Sequence, residues 1–119
     1  MNEEKGKEVV NEYGEDNVIF TKTDVTDSEQ VRIAIENTYN KFGALHITLN
    51  SAGIMGITHT LTSKTILDFK LHKKQMDINV NGTIYSSAYS AFYMAKNKEV
   101  NDRGEKGKLI DFLFKDFKR

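Results

Sequence analysis

The sequence predicts an α/β domain built on a parallel sheet, and three observations carry that prediction. Val18-Ile19-Phe20-Thr21-Lys22-Thr23 has the β-branched and aromatic content of a strand and stops at Asp24. Apolar residues then recur at helical spacing through Val31, Ala34, Ile35, Thr38 and Phe42, until Gly43 closes the pattern. A second strand-like run follows at Leu45-His46-Ile47-Thr48-Leu49-Asn50. Strand, helix and strand in that order over roughly 30 residues call for a parallel pair with a right-handed crossover.

Each element has a local reason. Glu3 to Tyr13 reads as a short helix with Val9, Val10 and Tyr13 on one side, and Gly14 is placed to end it in a left-handed conformation. Glu15, Asp16 and Asn17 make the turn into the first strand. Thr26 stands three residues before Glu29, the spacing of a capping box, so the central helix is expected to begin there. Gly43 should cap its other end. Gly56 to Ser63 is a polar, threonine-rich loop leading to a helix near Thr65 to Lys74. A longer helix is expected from Met76 to Lys98, with Val80, Ile84, Ser87, Ala88, Ala91 and Ala95 as a narrow stripe of mostly small residues. Gly82 lies inside it and should cost some helicity. After a charged turn at Asn101 to Gly107, Lys108-Leu109-Ile110-Asp111 opens a third strand.

Composition narrows the function classes. A chain of 119 residues has room for one domain, and 39% hydrophobic with 29% charged residues is globular rather than disordered. Seventeen basic and seventeen acidic side chains cancel, which removes the electrostatic footprint of a nucleic-acid or anionic-membrane binder. The absence of cysteine excludes disulfides and thiolate metal sites. His46, His59 and His72 lie far apart without a ligand motif, so no metal is expected. The opening Met1-Asn2-Glu3-Glu4-Lys5-Gly6-Lys7 is too polar for a signal peptide, and a soluble protein of the cytoplasm is expected, with a mitochondrial location left open.

Three short motifs in order now point one way: Asp24-Val25 after a strand, Asn50-Ser51-Ala52-Gly53 after the next, and Asn79-Val80-Asn81-Gly82-Thr83 within a helix. With Lys41-Phe42-Gly43 closing the helix between the first two, they resemble the central part of the short-chain dehydrogenase/reductase family, from about Glu3 to Ile110. Within that family, Asp24 to Ile54 resembles the type-2 3-hydroxyacyl-CoA dehydrogenases. Met94-Ala95-Lys96 and the glutamate-rich opening helix tilt the likeness toward 15-hydroxyprostaglandin dehydrogenases. The resemblance implies a partial Rossmann-like parallel sheet with flanking helices, lacking the first two strands and the C-terminal part. It assigns residues 1–111 to a partial dinucleotide-binding domain and 112–119 to a divergent tail.

The resemblance also implies roles. Asp24, at a strand's carboxyl end, would accept a hydrogen bond from the adenine amino group of NAD or NADP, beside the Val25 backbone amide; ligands of open α/β sheets bind at such ends. Read alone, Asp24 has the alternative of a helix-entry residue before Thr26. The turn Asn50, Ser51, Ala52, Gly53 would pass the adenine ribose, with Gly53 allowing close approach and Asn50 tying neighbouring strands together. Ser51 stands where the family more commonly has a second asparagine, and read alone the segment is a strand-ending turn. Asn79 would hold a water in the proton relay toward the active-site lysine, while an isolated helix asparagine more simply faces solvent or marks a kink.

Other parts of the family pattern have no counterpart in these residues. No glycine-rich turn precedes a helix, so the pyrophosphate cradle is not represented. Leu109 to Phe114 holds no serine, and none of Tyr13, Tyr39, Tyr85, Tyr89 and Tyr93 is followed four residues later by the lysine that would lower a catalytic tyrosine's pKa. The expectation is therefore a fragment of an NAD(P)-dependent oxidoreductase for a small hydroxyl or carbonyl substrate, inactive as written. The alternative is a non-catalytic interaction module, in which Tyr85, Ala88, Phe92 and Ala95 on helix 76–98 pair with a full-length relative; a homo-oligomer through the same helix is the other partner expected. The family's strand order separates the strands ending at Thr23 and Asn50 by two others, which predicts a rearranged sheet when those are missing.

Overall fold

The computed structural model describes residues 2–56, 60–62 and 66–112. Helix α1 spans Glu3–Tyr13, as its spacing predicts, and the Asn2 side chain accepts the Lys5 amide at its start. Gly14 does take a positive φ of 83°, but its ψ of 144° lies outside the left-handed helical region, so the helix ends on a glycine corner of another kind.

The hexapeptide Val18–Thr23 does not form a strand. The sheet has two strands, and residues 18–23 belong to neither. Propensity alone cannot make a strand, because each strand amide and carbonyl needs a partner across a ladder. Here the segment is held by α1 instead. The Phe20 ring lies against Gly6, where a β-carbon would collide with it, and Lys22 reaches Glu3 at 3.4 Å.

Helix α2 spans Ser28–Phe42, and its cap is not the predicted one. Asp27, not Thr26, is the N-cap: its Oδ1 accepts the amides of Glu29 and Gln30 at 3.0 and 3.2 Å, and its Oδ2 accepts the Gln30 side chain at 2.9 Å. Thr26 belongs to the preceding turn instead, its amide and hydroxyl both donating to Asp24 Oδ1, at 2.9 and 2.8 Å. Gly43 ends α2 in the left-handed conformation foreseen for it, with φ 76° and ψ −9°. Along the helix, Arg32 bridges Glu29 and Glu36 at 2.8 and 2.7 Å, which lowers both carboxyl pKa values.

Strand β1 is Ile47–Asn50 and strand β2 is Lys108–Asp111, and they pair in parallel with Ile47 opposite Lys108 and Asn50 opposite Asp111. A parallel sheet is present as the fold class predicts, but it joins β1 to β2 rather than the runs of the strand–helix–strand unit, and β1 is shorter than the run from Leu45.

The two helices expected over 65–74 and 76–98 merge into one run. Helix α3 (Phe69–Met76) passes through a π-helical turn (Asp77–Asn81) into helix α4 (Gly82–Met94). Thr65 lies outside the described residues. The run starts at Phe69 because Asp68 accepts the amides of Lys70 and Leu71. It stops short of Lys98 because the Asn97 side chain turns inward to Leu45 and Lys106. Gly82 serves a close approach as well as weakening the helix. A β-carbon there would stand 3.1 Å from both the side chain and the carbonyl of Val25, so glycine lets the 24–26 turn sit directly on the helix. The small-residue stripe mostly faces outward: Ile84, Ala88, Ala91 and Ala95 are exposed. The buried face instead runs through Gly82, Ser90, Tyr93 and Met94.

That face makes the core. Tyr93 and Met94 join Leu45, with Ile35 and Tyr39 packed against them and the Tyr39 and Tyr93 rings 5.0 Å apart. Burial, reinforced by the nearby Glu36 carboxylate, pushes the Tyr93 phenol pKa upward.

Two outcomes follow. Gly82→Leu should destabilise the chain by about 1–3 kcal/mol in urea unfolding, because it overpacks the contact with Val25. Asp27→Ala should lower the melting temperature more than Thr26→Ala does. The Asp27 carboxyl is held below its ordinary value of 3.8 chiefly by the Gln30 amide, then by the Gln30 side chain. Its stabilisation is therefore complete above that value and fades as the pH falls through the lowered one, which circular dichroism would follow as acid loss of helicity absent from Asp27→Ala.

Candidate functional site

Asp24 heads a tight turn. Its Oδ1 holds the Thr26 amide and hydroxyl, and its own amide donates to Gln30 Oε1 at 3.0 Å. These bonds from Thr26 hold its carboxyl below the usual carboxylate range, so at neutral pH it is a charged acceptor. Its Oδ2 has no hydrogen-bond partner among the described residues. Helix-entry and ligand-facing readings of Asp24 are thus compatible: one oxygen organises the turn and the other is left over.

Asn50 ends β1, and its side-chain amide donates to Asp111 Oδ1 at 2.7 Å and to Ser87 Oγ at 3.2 Å. One residue therefore joins the carboxyl ends of both strands to α4, which is the strand-tying role the resemblance implied. Thr48, two residues earlier and on the same side of the strand, bonds the fully buried Ser90 at 2.8 Å. Ser90 is accordingly a packing residue. Beyond Asn50, Ser51 and Ala52 are exposed and Gly53 is half-buried.

Asn79 sits in the π-helical turn, where the Gly82 amide reaches back five residues to the Asp77 carbonyl. Such single turns widen a helix locally and are frequent at functional positions. The Asn79 side chain closes on the backbone of Ile54, accepting its amide at 2.9 Å and donating to its carbonyl at 2.8 Å. Its own carbonyl takes the Thr83 hydroxyl at 2.9 Å. Asn79 therefore faces neither solvent nor an empty kink; it clamps the chain just past Gly53.

These contacts bring the first two predicted motifs together. A cavity of about 230 Å³ is lined by Val25 on one side and by Asn50, Ser51 and Ala52 on the other, with Ile78 and Gly82 from the helical run between them. An adjoining cavity of about 450 Å³ adds Asp24 and Gln30 and shares Val25, Ala52 and Ile78. Asn79 does not line either one and acts through Ile54.

Sequence reading missed Gln30 and Ile78 as lining residues and Asn97 as a strut. Asn97 Nδ2 bridges the carbonyls of Leu45 and Lys106 at 2.6 and 2.8 Å, holding together the chain segments that enter β1 and β2, while its Oδ1 is buried without a partner. Only Gln30, three residues after an aspartate cap, carried a signal that could have been read. No cluster that could hold a metal ion occurs among the described residues, and none of their helices is long and apolar enough to cross a membrane.

Comparison with known proteins places this arrangement. The family model for short chain dehydrogenases matches residues 1–110, and the chain belongs to that family. A 3-hydroxyacyl-CoA dehydrogenase type-2 of Drosophila melanogaster is 35% identical over 109 residues, covering 90% of this chain and 42% of the relative. An uncharacterised oxidoreductase of Staphylococcus aureus is 38% identical over 88 residues, covering 72% of this chain and 36% of the relative. Among solved structures, the 3-hydroxyacyl-CoA dehydrogenase type-2 of Mycobacterium avium superposes with a TM-score of 0.80 at 27% identity, over 91% of this chain and 42% of that one. ElxO with NADP bound superposes with a TM-score of 0.64 at 33% identity, over 78% of this chain and 37% of that one. The chain thus spans about two-fifths of the length of these relatives, and the parallel α/β architecture predicted for it is theirs.

The clamp at Asn79 is directly testable. Asn79→Ala removes both bonds to Ile54 and should speed exchange of the Ile54 amide, read by NMR hydrogen exchange, by the loss of about 1–3 kcal/mol of local protection. Unchanged exchange would mean the clamp holds nothing in place.

Proposed function

We propose that this stretch forms the adenosine side of a nicotinamide-dinucleotide site, in an oxidoreductase that moves hydride between NAD or NADP and a small hydroxyl or carbonyl substrate. The observation that carries the reading is the shared cavity wall. Val25 meets Ser51 and Ala52 across one cavity and Asp24 meets Ala52 across the adjoining one, both lined by Ile78, although no strand ladder joins the two motifs. The ElxO relative, whose structure has NADP bound, supports nicotinamide-cofactor use within the family.

The residues fit the adenosine half. Ionised Asp24 offers Oδ2 as an acceptor for an exocyclic amino group, the Val25 amide makes no hydrogen bond among the described residues, and Val25, Ala52 and Ile78 supply apolar wall for a flat base. Asn50, Ser51, Ala52 and Gly53 form the turn beside which the ribose would lie. When bound, the dinucleotide supplies the hydride acceptor or donor. Asn79 keeps that turn in place through Ile54 and places its own backbone in a widened helical turn, the position from which it would serve a proton relay.

The residues do not fit the rest of the cofactor. No glycine-rich turn and no tyrosine–lysine pair occurs in the chain, so the 119 residues alone are read as catalytically silent. The outward-facing Ile84, Ala88 and Phe92 of α4 favour a second reading, in which that helix pairs with another subunit.

Binding by half-cofactors tests the proposal. Isothermal titration should find weak binding of AMP and none of nicotinamide mononucleotide, with Asp24→Ala weakening AMP binding roughly tenfold by removing a charged acceptor. Indifference of AMP to Asp24→Ala, or equal binding of both mononucleotides, would contradict it. NADH or NADPH should not be consumed with carbonyl substrates.

A further inference from the structure

Gln30 stands where a capping box would be completed, three residues after the N-cap Asp27, yet its side chain does not complete one. In that motif the glutamine side chain accepts the amide of the N-cap residue. Here the Asp27 amide goes to the Asp24 carbonyl at 3.1 Å, and Gln30 Oε1 reaches past it to accept the Asp24 amide at 3.0 Å. The other end of the same side chain, Nε2, donates to Asp27 Oδ2 at 2.9 Å. One planar amide group is thereby tied at both ends, to the backbone of the Asp24 turn and to the cap of α2.

The consequence falls on Asp24. Its amide and carbonyl are both bonded within residues 24–30, and its Oδ1 takes two donors from Thr26. With the backbone and one carboxylate oxygen fixed, the direction of Oδ2 is fixed as well. A binding group is precise only when the residues behind it hold it in place, and Gln30 is the residue of α2 that does so here. It also stands in the wall of the adjoining cavity with Asp24, Val25, Ala52 and Ile78. None of these bonds spans more than six positions in sequence, so the turn carries its own support.

We propose that Gln30 is the positioning residue of the adenosine site: it aims Oδ2 of Asp24 at the base, and so sets the preference for a purine that carries an exocyclic amino group over one that lacks it. The inference rests on the adenosine reading above and names the source of its selectivity. An ionised carboxylate only accepts hydrogen bonds, and such a bond weakens steeply as its angle departs from linear. An Asp24 that is free to turn still offers charge but no longer a direction.

AMP and purine riboside 5′-monophosphate, which lacks only the amino group, are the probes. Isothermal titration of the 119-residue chain should find AMP bound roughly tenfold more tightly. Gln30→Met keeps the length and helix propensity of the side chain while removing both of its bonds, and should bring the two affinities together by weakening AMP alone. In an Asp24→Ala background the same substitution should change neither affinity, which separates positioning of Asp24 from general support of the fold. A second readout needs no ligand. The Thr26 amide, then its hydroxyl, holds the Asp24 carboxyl below its ordinary 3.8, and a carboxyl-carbon NMR titration should find it moved back up in Gln30→Met. The charges around the turn, on Lys22, Asp27, Lys70, Lys73, Lys74 and Asp77, are the same in both proteins, so that movement reports the geometry of the turn. A preference for AMP that survives Gln30→Met, an Asp24 titration left unmoved, or equal weakening of both ligands would each overturn the role of Gln30 and leave the adenosine site standing. No preference in the unsubstituted chain would overturn the adenosine reading, and this inference with it.

Discussion

The architecture depends on one helical run, Phe69 to Met94, and on the π-helical turn within it. Apart from α1, and from β2, which is held through its pairing with β1, the described elements are fastened to that run at named points. Val25 sits on Gly82, Ile54 is gripped by Asn79, Asn50 and Thr48 bond Ser87 and Ser90, and the Tyr39 ring of α2 meets Tyr93. Sheet pairing contributes only four residue pairs between β1 and β2. The helix consequently does the organising that a wide parallel sheet does in larger α/β domains, where successive strands position the loops at their carboxyl ends.

This arrangement explains how two motifs 26 residues apart can face one cavity without a ladder between them. Gly82 is small enough for the Asp24 turn to approach the helix, and the wider helical turn at Asp77–Asn81 aims Asn79 at the chain following Asn50. Charge is arranged locally rather than globally. The chain is neutral overall, yet Asp24 is kept ionised by two donors from Thr26, which suits an acceptor that must take a hydrogen bond at the mouth of an apolar wall.

Much of this was legible in the sequence. Helices α1 and α2, the left-handed Gly43, the parallel relation of β1 and β2, and the strand-tying role of Asn50 follow from local pattern or family likeness, because caps, periodicity and short motifs act over a few residues. What was not legible depended on partners distant in sequence. Val18–Thr23 has every local feature of a strand but lacks a neighbour, and a composition cannot announce a missing neighbour. Thr26 looked like a cap, but Asp24 draws it into the preceding turn and the next residue, Asp27, accepts the helix amides. Gly82 and Gln30 gained their meaning only once Val25 and Asp24 were placed against them.

The central claim is that Asp24–Val25 and Ser51–Ala52 are two walls of one adenosine site held by the helical run. Chemical-shift mapping of the ¹⁵N-labelled chain during AMP titration tests it most directly. The account predicts that the amides of Asp24, Val25, Ser51, Ala52 and Ile78 shift together along one saturating curve. Shifts confined to one of the two segments, or absent from both, would contradict it.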